Sequence, residues 1–269
     1  MGYKGLVLDI DGTLYNSGKC ITEATRRAIY HAREAGKIIA IASGRPIHGI
    51  ADVCERLAFA EKGGFIMGWN GGRILDMKTG EVISETTLPE GIVAEIAALA
   101  KEYGVPVVAH TPDTLLSETP EDEIIQLEAR LNRMTVDRIA SLADYRECPL
   151  FKCIITGSGE RLAEIEKVAA RRFEGRLSVY RSEPYFLEIL PYGIDKAHGI
   201  DVLARHLGLT ENDFIACGDG FNDLCMIRHA GFGVAMANAQ SIVRQNANFV
   251  TGSCDEDGLV PVIEKFLIA

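Results

Sequence analysis

Short, uninterrupted apolar runs alternate along this chain with stretches whose apolar residues recur at helical spacing. Leu6-Val7-Leu8 is the first run, and 22–35 follows it with a helical pattern closed by Gly36. Ile38-Ile39-Ala40-Ile41-Ala42 is the second run, and 46–57 reads as helix behind it. Runs that are apolar at every position suit parallel strands covered on both faces. From about Phe65 the pattern changes. Asn70-Gly71-Gly72 and Lys78-Thr79-Gly80 are turn signals between strand-like pieces. Pro89 opens a helical stretch that ends at Tyr103 before Gly104; 121–132 and 160–173 are helical as well. Strand-like segments lie at 105–109, 151–156, 178–181 and 185–190. At Asp195 the earlier alternation resumes. Asp195 caps a helix over 196–207 that Gly208 stops. Beyond it come strand 214–217, helix 222–229, strand 233–235, helix 239–245, strand 249–250 and helix 260–267.

This order predicts an α/β core interrupted by a second α/β module. The core is expected over 1–84 and 190–269, with the inserted module over 85–189. A chain of 269 residues is long enough for two such modules, each with its own apolar interior. Neither an internal repeat nor a low-complexity linker separates them. The net charge of −10 argues against nucleic acid or an anionic membrane as the main partner. It leaves anionic small substrates open, because a bound cation reverses the local sign.

The seven cysteines are scattered with no C-x-x-C pair, which disfavours a zinc or redox motif and suits reduced thiols in a cytoplasmic protein. No apolar run approaches the roughly 20 residues of a membrane span. Strand character within the first ten residues leaves no room there for a signal peptide. Met1-Gly2 opens like a myristoylation site, but Leu6 stands where Ser or Thr is needed.

Four segments carry candidate chemistry, and each ends a predicted strand or opens a predicted helix. Asp9-Ile10-Asp11-Gly12-Thr13-Leu14 follows the first strand. In an extended chain Asp9 and Asp11 point the same way, and two carboxylates held together call for a cation or a shared proton. A plain Asp-Gly-Thr turn is the ordinary alternative. An EF-hand does not fit, since Gly12 comes too early and Cys20 stands where the closing Glu belongs.

Ser43-Gly44-Arg45-Pro46 follows the second strand with a hydroxyl and backbone N–H groups suited to an anion, or else is a Ser cap with Pro just inside a helix. Lys196 opens a helix, where the dipole disfavours a cation; meeting a phosphate would explain it, and so would a surface pair with Asp195. Gly218-Asp219-Gly220-Phe221-Asn222-Asp223 crowds two acids and an amide into one strand-to-helix turn, either as a site or as a capping turn.

Ligands of open parallel sheets bind beyond the carboxyl ends of the strands, where three of these segments are predicted to lie. Four acids, Asp9, Asp11, Asp219 and Asp223, are expected to converge there with Ser43 and Lys196. An oxygen-rich set of that kind favours Mg²⁺. Gly157-Ser158-Gly159 lacks the third glycine of a dinucleotide loop, and the six histidines show no ligand spacing.

These four segments in this order resemble the haloacid dehalogenase superfamily, and the insertion resembles the large α/β cap of its Cof-type phosphatases. Asn70-Gly71, Glu188-Ile189, Val234-Ala235-Met236 and Asp257-Gly258 extend the likeness over nearly the whole chain. Met67-Gly68-Trp69 is bulkier than the family pattern, and Ala237-Asn238 stands where Gly-Asn is usual.

The resemblance implies a Rossmann-like parallel-sheet core with an inserted α/β cap that selects substrate and closes over the site. It also implies a Mg²⁺-dependent phosphatase acting on a small phosphorylated metabolite, with sugar phosphates foremost. Asp9 would be the nucleophile that becomes an aspartyl phosphate, and Asp11 the acid and base. Ser43, Gly44, Lys196 and Asn222 would bind phosphate. Asp9, Asp11 (through its carbonyl), Asp219 and Asp223 would serve the metal. A phosphomutase or phosphotransferase, and a receiver-like phospho-accepting module, are the alternatives. Oligomeric state is open.

Overall fold

The structure, a computed structural model, describes residues 2–269; Met1, and with it the start of the myristoylation-like opening, lies outside the described residues. The chain divides into two compact units. One comprises residues up to Gly44, then Ala51–Glu85 and Asp195–Ala269; the other comprises Arg45–Ile50 and Thr86–Ile194.

In chain order the first unit begins with strand β1 (Gly5–Leu8), helix α1 (Glu23–Glu34) and strand β2 (Ile38–Ala42). Short helices α2 (Ala51–Arg56) and α3 (Phe59–Lys62) follow, then strands β3 (Phe65–Gly68), β4 (Arg73–Asp76) and β5 (Val82–Glu85). Strand β1 is buried at every position, as its unbroken apolar run requires. Thr22 caps α1 by accepting from the Thr25 backbone N–H. Both turn signals produce hairpins, with β3 antiparallel to β4 and β4 antiparallel to β5.

The expected helix over 46–57 forms in two pieces, a 3-10 turn at Ile47–Ile50 and then α2. The break has a physical cause: the 3-10 turn packs within the second unit, where Gly49 lies close to Asn132, while α2 belongs to the first.

The second unit continues with α4 (Ile92–Tyr103), β6 (Val107–His110), β7 (Leu115–Ser117), α5 (Glu123–Asn132) and β8 (Val136–Arg138). It closes with β9 (Lys152–Thr156), α6 (Gly159–Arg172), β10 (Leu177–Glu183) and β11 (Phe186–Pro191). Its six strands form one sheet in the order β10-β11-β9-β6-β7-β8. One apolar cluster joins Ile96 and Leu99 of α4 and Leu162 and Ile165 of α6 to Ala109, Cys153 and Ile155. A second joins Ile125 and Ala129 of α5 to Val108, Ile154 and Phe186. Alternation along the strands therefore places α4 and α6 on one face and α5 on the other.

The α5 face also buries a charged knot. Lys152 Nζ lies 2.9 Å from Glu188 Oε2 and 3.8 Å from Glu128 Oε1, and His110 Nε2 lies 3.2 Å from Glu128 Oε1. Burial disfavours an ionised Glu128, but Lys152 and His110 outweigh it and hold the carboxyl down at about 2. His110 is held below its ordinary value, first by burial and then by the charge of Lys152.

The chain returns to the first unit with α7 (Lys196–His206), β12 (Phe214–Gly218), α8 (Leu224–His229), β13 (Phe232–Ala235), α9 (Ser241–Asn246), β14 (Phe249–Val250) and α10 (Leu259–Val262). The expected last helix changes to a π-turn at Ile263–Leu267. The eight strands run β14-β13-β12-β1-β2-β3-β4-β5, parallel from β14 to β3. Strand β1 is central, with β2 on one side and β12 on the other. The direction of winding reverses between β1 and β12, where open α/β sheets form their ligand crevices.

The charged knot sets how the second unit responds to acid. Below about pH 6.5 the unfolded chain protonates His110 and the fold resists it, so stability falls with pH. From the ordinary Glu value down to about 2, Glu128 adds a second loss. Amide exchange in β6 and β9 is expected to accelerate from pH 7.5 to 5.5 and further at pH 4, after correction for intrinsic rates. Unchanged corrected rates would contradict this account of the knot.

Candidate active site

The site grows from two strand ends that lie side by side. β1 pairs with β12 in parallel register, Leu8 opposite Cys217, and the Asp9 N–H donates to the Cys217 carbonyl at 3.0 Å. Asp9 and Asp219 therefore leave the sheet next to one another. The chain then turns sharply in both places. Gly12 has φ +80°, and a Cβ there would come within 2.4 Å of the Asp219 carboxylate. A side chain at Gly218 would strike Asp223 at 2.4 Å. These two positions require glycine for space, and Gly12 for backbone conformation as well.

Asp223 opens the short helix after β12 and is fully buried. Its Oδ2 accepts the backbone N–H groups of Asp219 at 2.9 Å and Gly220 at 2.8 Å, closing the turn on itself. Its Oδ1 accepts from Lys196 Nζ at 2.6 Å. The same ammonium donates to Asp9 Oδ1 at 2.6 Å. Lys196 is completely buried at the first position of α7, behind the Asp195 cap, whose side chain accepts from the His198 N–H at 2.8 Å. The sequence posed a choice for Lys196 between an exposed pair with Asp195 and an inward role; it points inward.

One loop supports that helix end. Trp69 and Asn70 both have positive φ, 48° and 56°, and Gly71 follows at 94°. A Cβ on Gly71 would meet the Asp195 carbonyl at 2.8 Å, so the turn presses on the start of α7. The Asn70 N–H donates to the Ser43 carbonyl at 2.8 Å, and Ser43 N–H donates to Met67 O at 2.9 Å. Ser43 is buried at the end of β2, the strand beside β1, and Gly44 lies against the Asn70 side chain.

Among the described residues, Asp9, Asp219 and Asp223 form a group in which one carboxylate oxygen from each lies within 4.8 Å of the others. Three carboxylates face one ammonium here. Burial, followed by the charge of Asp223, pushes the Asp9 carboxyl up to about 8 despite Lys196. Burial and Asp223 likewise push Asp219 up to about 6, although Thr13 Oγ1 donates to Asp219 Oδ1 at 3.0 Å. Burial alone would lower Lys196, but Asp223 and Asp9 overcome it and hold it above the ordinary lysine value. Crowded carboxyls that resist ionisation, all offering oxygen, fit a hard divalent cation, whose charge would replace the protons.

Not every expected residue joins this group. The strand ends at Leu8, so the extended-chain alternation between Asp9 and Asp11 stops there. Asp11 is half-exposed, and its Oδ1 accepts from Lys19 Nζ at 2.8 Å. Asn222 is exposed, with its side-chain oxygen beside Gly220. Two contributors were not among the expected residues. Thr13, only 2% exposed, holds Asp219; Asn238 Nδ2 donates to the Gly12 carbonyl at 2.8 Å. A threonine inside the D-x-D-G-T segment is a visible signal for the first; the family pattern marks Asn238 as the Asn after Ala237, but not its bond to Gly12.

Comparison with known proteins bears on what such a group does. The sequence profile of the haloacid dehalogenase-like hydrolases matches residues 6–263. YxeH of Bacillus subtilis (strain 168) is 30% identical over 273 residues, covering 99% of each chain. The 5-amino-6-(5-phospho-D-ribitylamino)uracil phosphatase YcsE of the same organism is 27% identical over 266 residues, covering 98% of this chain and 96% of its own. Among solved structures, a haloacid dehalogenase-like hydrolase from Bacteroides thetaiotaomicron superposes with TM-score 0.89 at 40% identity, covering 98% of this chain and 99% of its own. The HAD subclass IIB sugar phosphatase BT4131 gives TM-score 0.80 at 26% identity, covering 99% of this chain and all of its own.

Removing the ammonium leaves buried carboxylates facing one another. Lys196→Met is expected to lower the unfolding free energy by about 3–5 kcal/mol, more at pH 8 than at pH 5, because the stripped carboxyls must then give up protons. Urea unfolding followed by fluorescence of the single tryptophan, buried Trp69, measures it. A loss below about 1 kcal/mol, the scale of an exposed pair, would contradict the buried three-way contact.

Proposed function

The chain belongs to the haloacid dehalogenase-like hydrolase family and is a phosphoric monoester hydrolase; from that premise we propose that it is a Mg²⁺-dependent phosphatase of small phosphorylated metabolites, sugar phosphates foremost, acting through an aspartyl phosphate. The observation that carries this reading is Asp9 at the end of β1, with Oδ1 fixed by Lys196 and two further carboxylates beside it.

With Oδ1 held, Oδ2 of Asp9 is the atom that attacks phosphorus. The Asp9–phosphorus bond forms as the bond to the ester oxygen breaks. Asp11 gives its proton to the departing alkoxide, then takes one from the water that attacks the phosphoaspartate. That water's oxygen joins phosphorus, inorganic phosphate leaves, and the Asp9 carboxylate is restored. The principal obstacle is charge: two unit charges about 4 Å apart at an effective dielectric of about 20 repel by roughly 4 kcal/mol.

Lys196 and the Ser43 hydroxyl, with the Gly44 N–H and Asn222, are the groups we assign to the phosphoryl oxygens. Asp9, the Asp11 carbonyl and Asp219 would hold Mg²⁺, supported by Asp223; when bound, the ion neutralises the charge of the entering phosphate. Oxygen donors alone, packed closely enough to share one ion, suit Mg²⁺ over softer metals.

Sugar phosphates lead the substrate reading for two reasons. BT4131 is a sugar phosphatase, and the YcsE substrate carries its phosphate on a ribityl chain. We take the inserted unit, expected over 85–189, as the specificity module and the flanking unit, expected over 1–84 and 190–269, as the catalytic one. Seven unpaired thiols support a reducing, cytoplasmic setting. No helix among the described residues is long and apolar enough to cross a membrane.

A phosphate-release screen over sugar phosphates, nucleotides, flavin and pyridoxal phosphates is expected to give turnover on a sugar phosphate without any added acceptor. Turnover only with an acceptor would replace hydrolysis by phosphoryl transfer. EDTA should abolish release and Mg²⁺ restore it; full activity in chelator refutes the metal role. Asp9→Asn is expected to lower kcat by more than about 10³-fold with the fold intact, and retained turnover refutes the nucleophile. Asp11→Asn should cost about 10²-fold or more on alkyl phosphates and far less on aryl ones; equal losses count against the acid role.

A further inference from the structure

Residues 15–22 link the D-x-D-G-T turn to α1, and within the first unit this loop is tied down at its start, middle and end. At the start, the Tyr15 N–H donates to the Ile10 carbonyl at 2.7 Å, and the hydroxyl of buried Tyr15 donates to Asp52 Oδ2 at 2.7 Å. In the middle, the Ser17 N–H donates to Asp255 Oδ1 at 2.8 Å. At the end, the Oγ1 of Thr22, the cap of α1, donates to Asp257 Oδ1.

Asn16 folds the loop back on itself. Its N–H donates to the Cys20 carbonyl at 3.0 Å, its carbonyl accepts from the Lys19 N–H at 2.9 Å, and its Oδ1 accepts from the Cys20 N–H at 3.0 Å. Gly18 sits inside that turn, where a Cβ would lie 3.3 Å from Asn16 Oδ1. Lys19 follows at φ +56°, a left-handed conformation that a residue with a Cβ adopts at a cost.

The loop aims one side chain: Lys19 Nζ donates to Asp11 Oδ1 at 2.8 Å. The two side chains are 65% and 38% exposed, and an ion pair so placed adds little to folding stability. A strained lysine in a loop anchored at three points is out of proportion to that contribution. It is in proportion to the work of Asp11.

We propose that Lys19 is a positioning residue that acts through Asp11, an inference that rests on the acid–base reading of Asp11 above. The oxygen that receives the ammonium is an acceptor, so the transferable proton belongs on Asp11 Oδ2. As the ester bond breaks, that proton passes from Oδ2 to the departing alkoxide. Asp11 is left anionic in a site already rich in carboxylates, and the ammonium on Oδ1 offsets that charge. The same contact keeps Oδ2 turned to the water that next attacks the phosphoaspartate, from which it takes a proton.

The measure is kcat/KM, which reports the step that expels the leaving group. It is taken on the full chain with an alkyl phosphate that the protein hydrolyses and with p-nitrophenyl phosphate, whose anion departs without a proton. Lys19→Met is expected to lower the alkyl value about tenfold and the p-nitrophenyl value less than about twofold. Lys19→Arg, which keeps a cation within reach, should retain most of the alkyl value. In an Asp11→Asn background Lys19→Met should cost nothing further, because the residue through which it acts is gone. An unchanged alkyl value in Lys19→Met overturns the proposal. Equal losses on both esters also overturn it, since they would put the ammonium on the phosphate, and so do losses that simply multiply in the double variant. The acid–base reading of Asp11 fails separately: an Asp11→Asn variant with no alkyl–aryl contrast removes that reading and this inference with it. Contrast in Asp11→Asn but none in Lys19→Met overturns the role of Lys19 alone.

Discussion

A single buried ammonium, Lys196, ties the start of α7 to two strand ends of the central sheet. It reaches Asp9 at the end of β1 and Asp223 in the turn after β12, at 2.6 Å each. Lysine is rarely sealed from water, and its desolvation is tolerable only because two carboxylates receive it. The lysine in turn keeps those carboxylates from being an unrelieved cluster of like charge. Neither side of the arrangement is stable alone, and that mutual dependence fixes the position of Asp9 to within a hydrogen bond.

The fold supplies what this contact needs. Parallel pairing of β1 with β12 brings the two acidic strand ends together at the place where the sheet's winding reverses. Glycines at 12 and 218 let the two turns close without a Cβ between the acids. The left-handed Trp69-Asn70-Gly71 turn presses on the first residues of α7 and also ties down Ser43. Strain of that kind persists only where neighbours over-determine it. Here it joins the hydroxyl at the end of β2 to the helix that carries the lysine.

Much of this could be read from the chain. Leu6–Leu8 and Ile38–Ala42 announced buried strands because both faces of each are covered, so no alternation was needed to reveal them. Lys196 drew notice because a cation at a helix N-terminus is locally unfavourable, and it is the buried cation. Other features were hidden for definite reasons. The three-residue strands β7 and β8 are too short to show a period, and β8 is mostly polar. The helix expected over 46–57 is divided because its two ends belong to different units, which periodicity does not register. The role of Asn238 depends on a partner 226 residues away. Asp11 meets Lys19 because the strand ends at Leu8, before the 9–11 stretch that alternation assumed to be extended.

The central position of β1 has a consequence for how the protein is made. Its neighbour β12 emerges late: 206 residues separate Thr13 from Asp219. At about 5–20 residues per second, a nascent chain waits roughly 10–40 s after Thr13 before that partner exists. During this interval one edge of β1, apolar on both faces, has no strand to receive its backbone groups, while the six-stranded sheet of the insertion is already complete on the ribosome. Vectorial synthesis therefore finishes the intervening unit while one edge of Gly5–Leu8 still waits for β12.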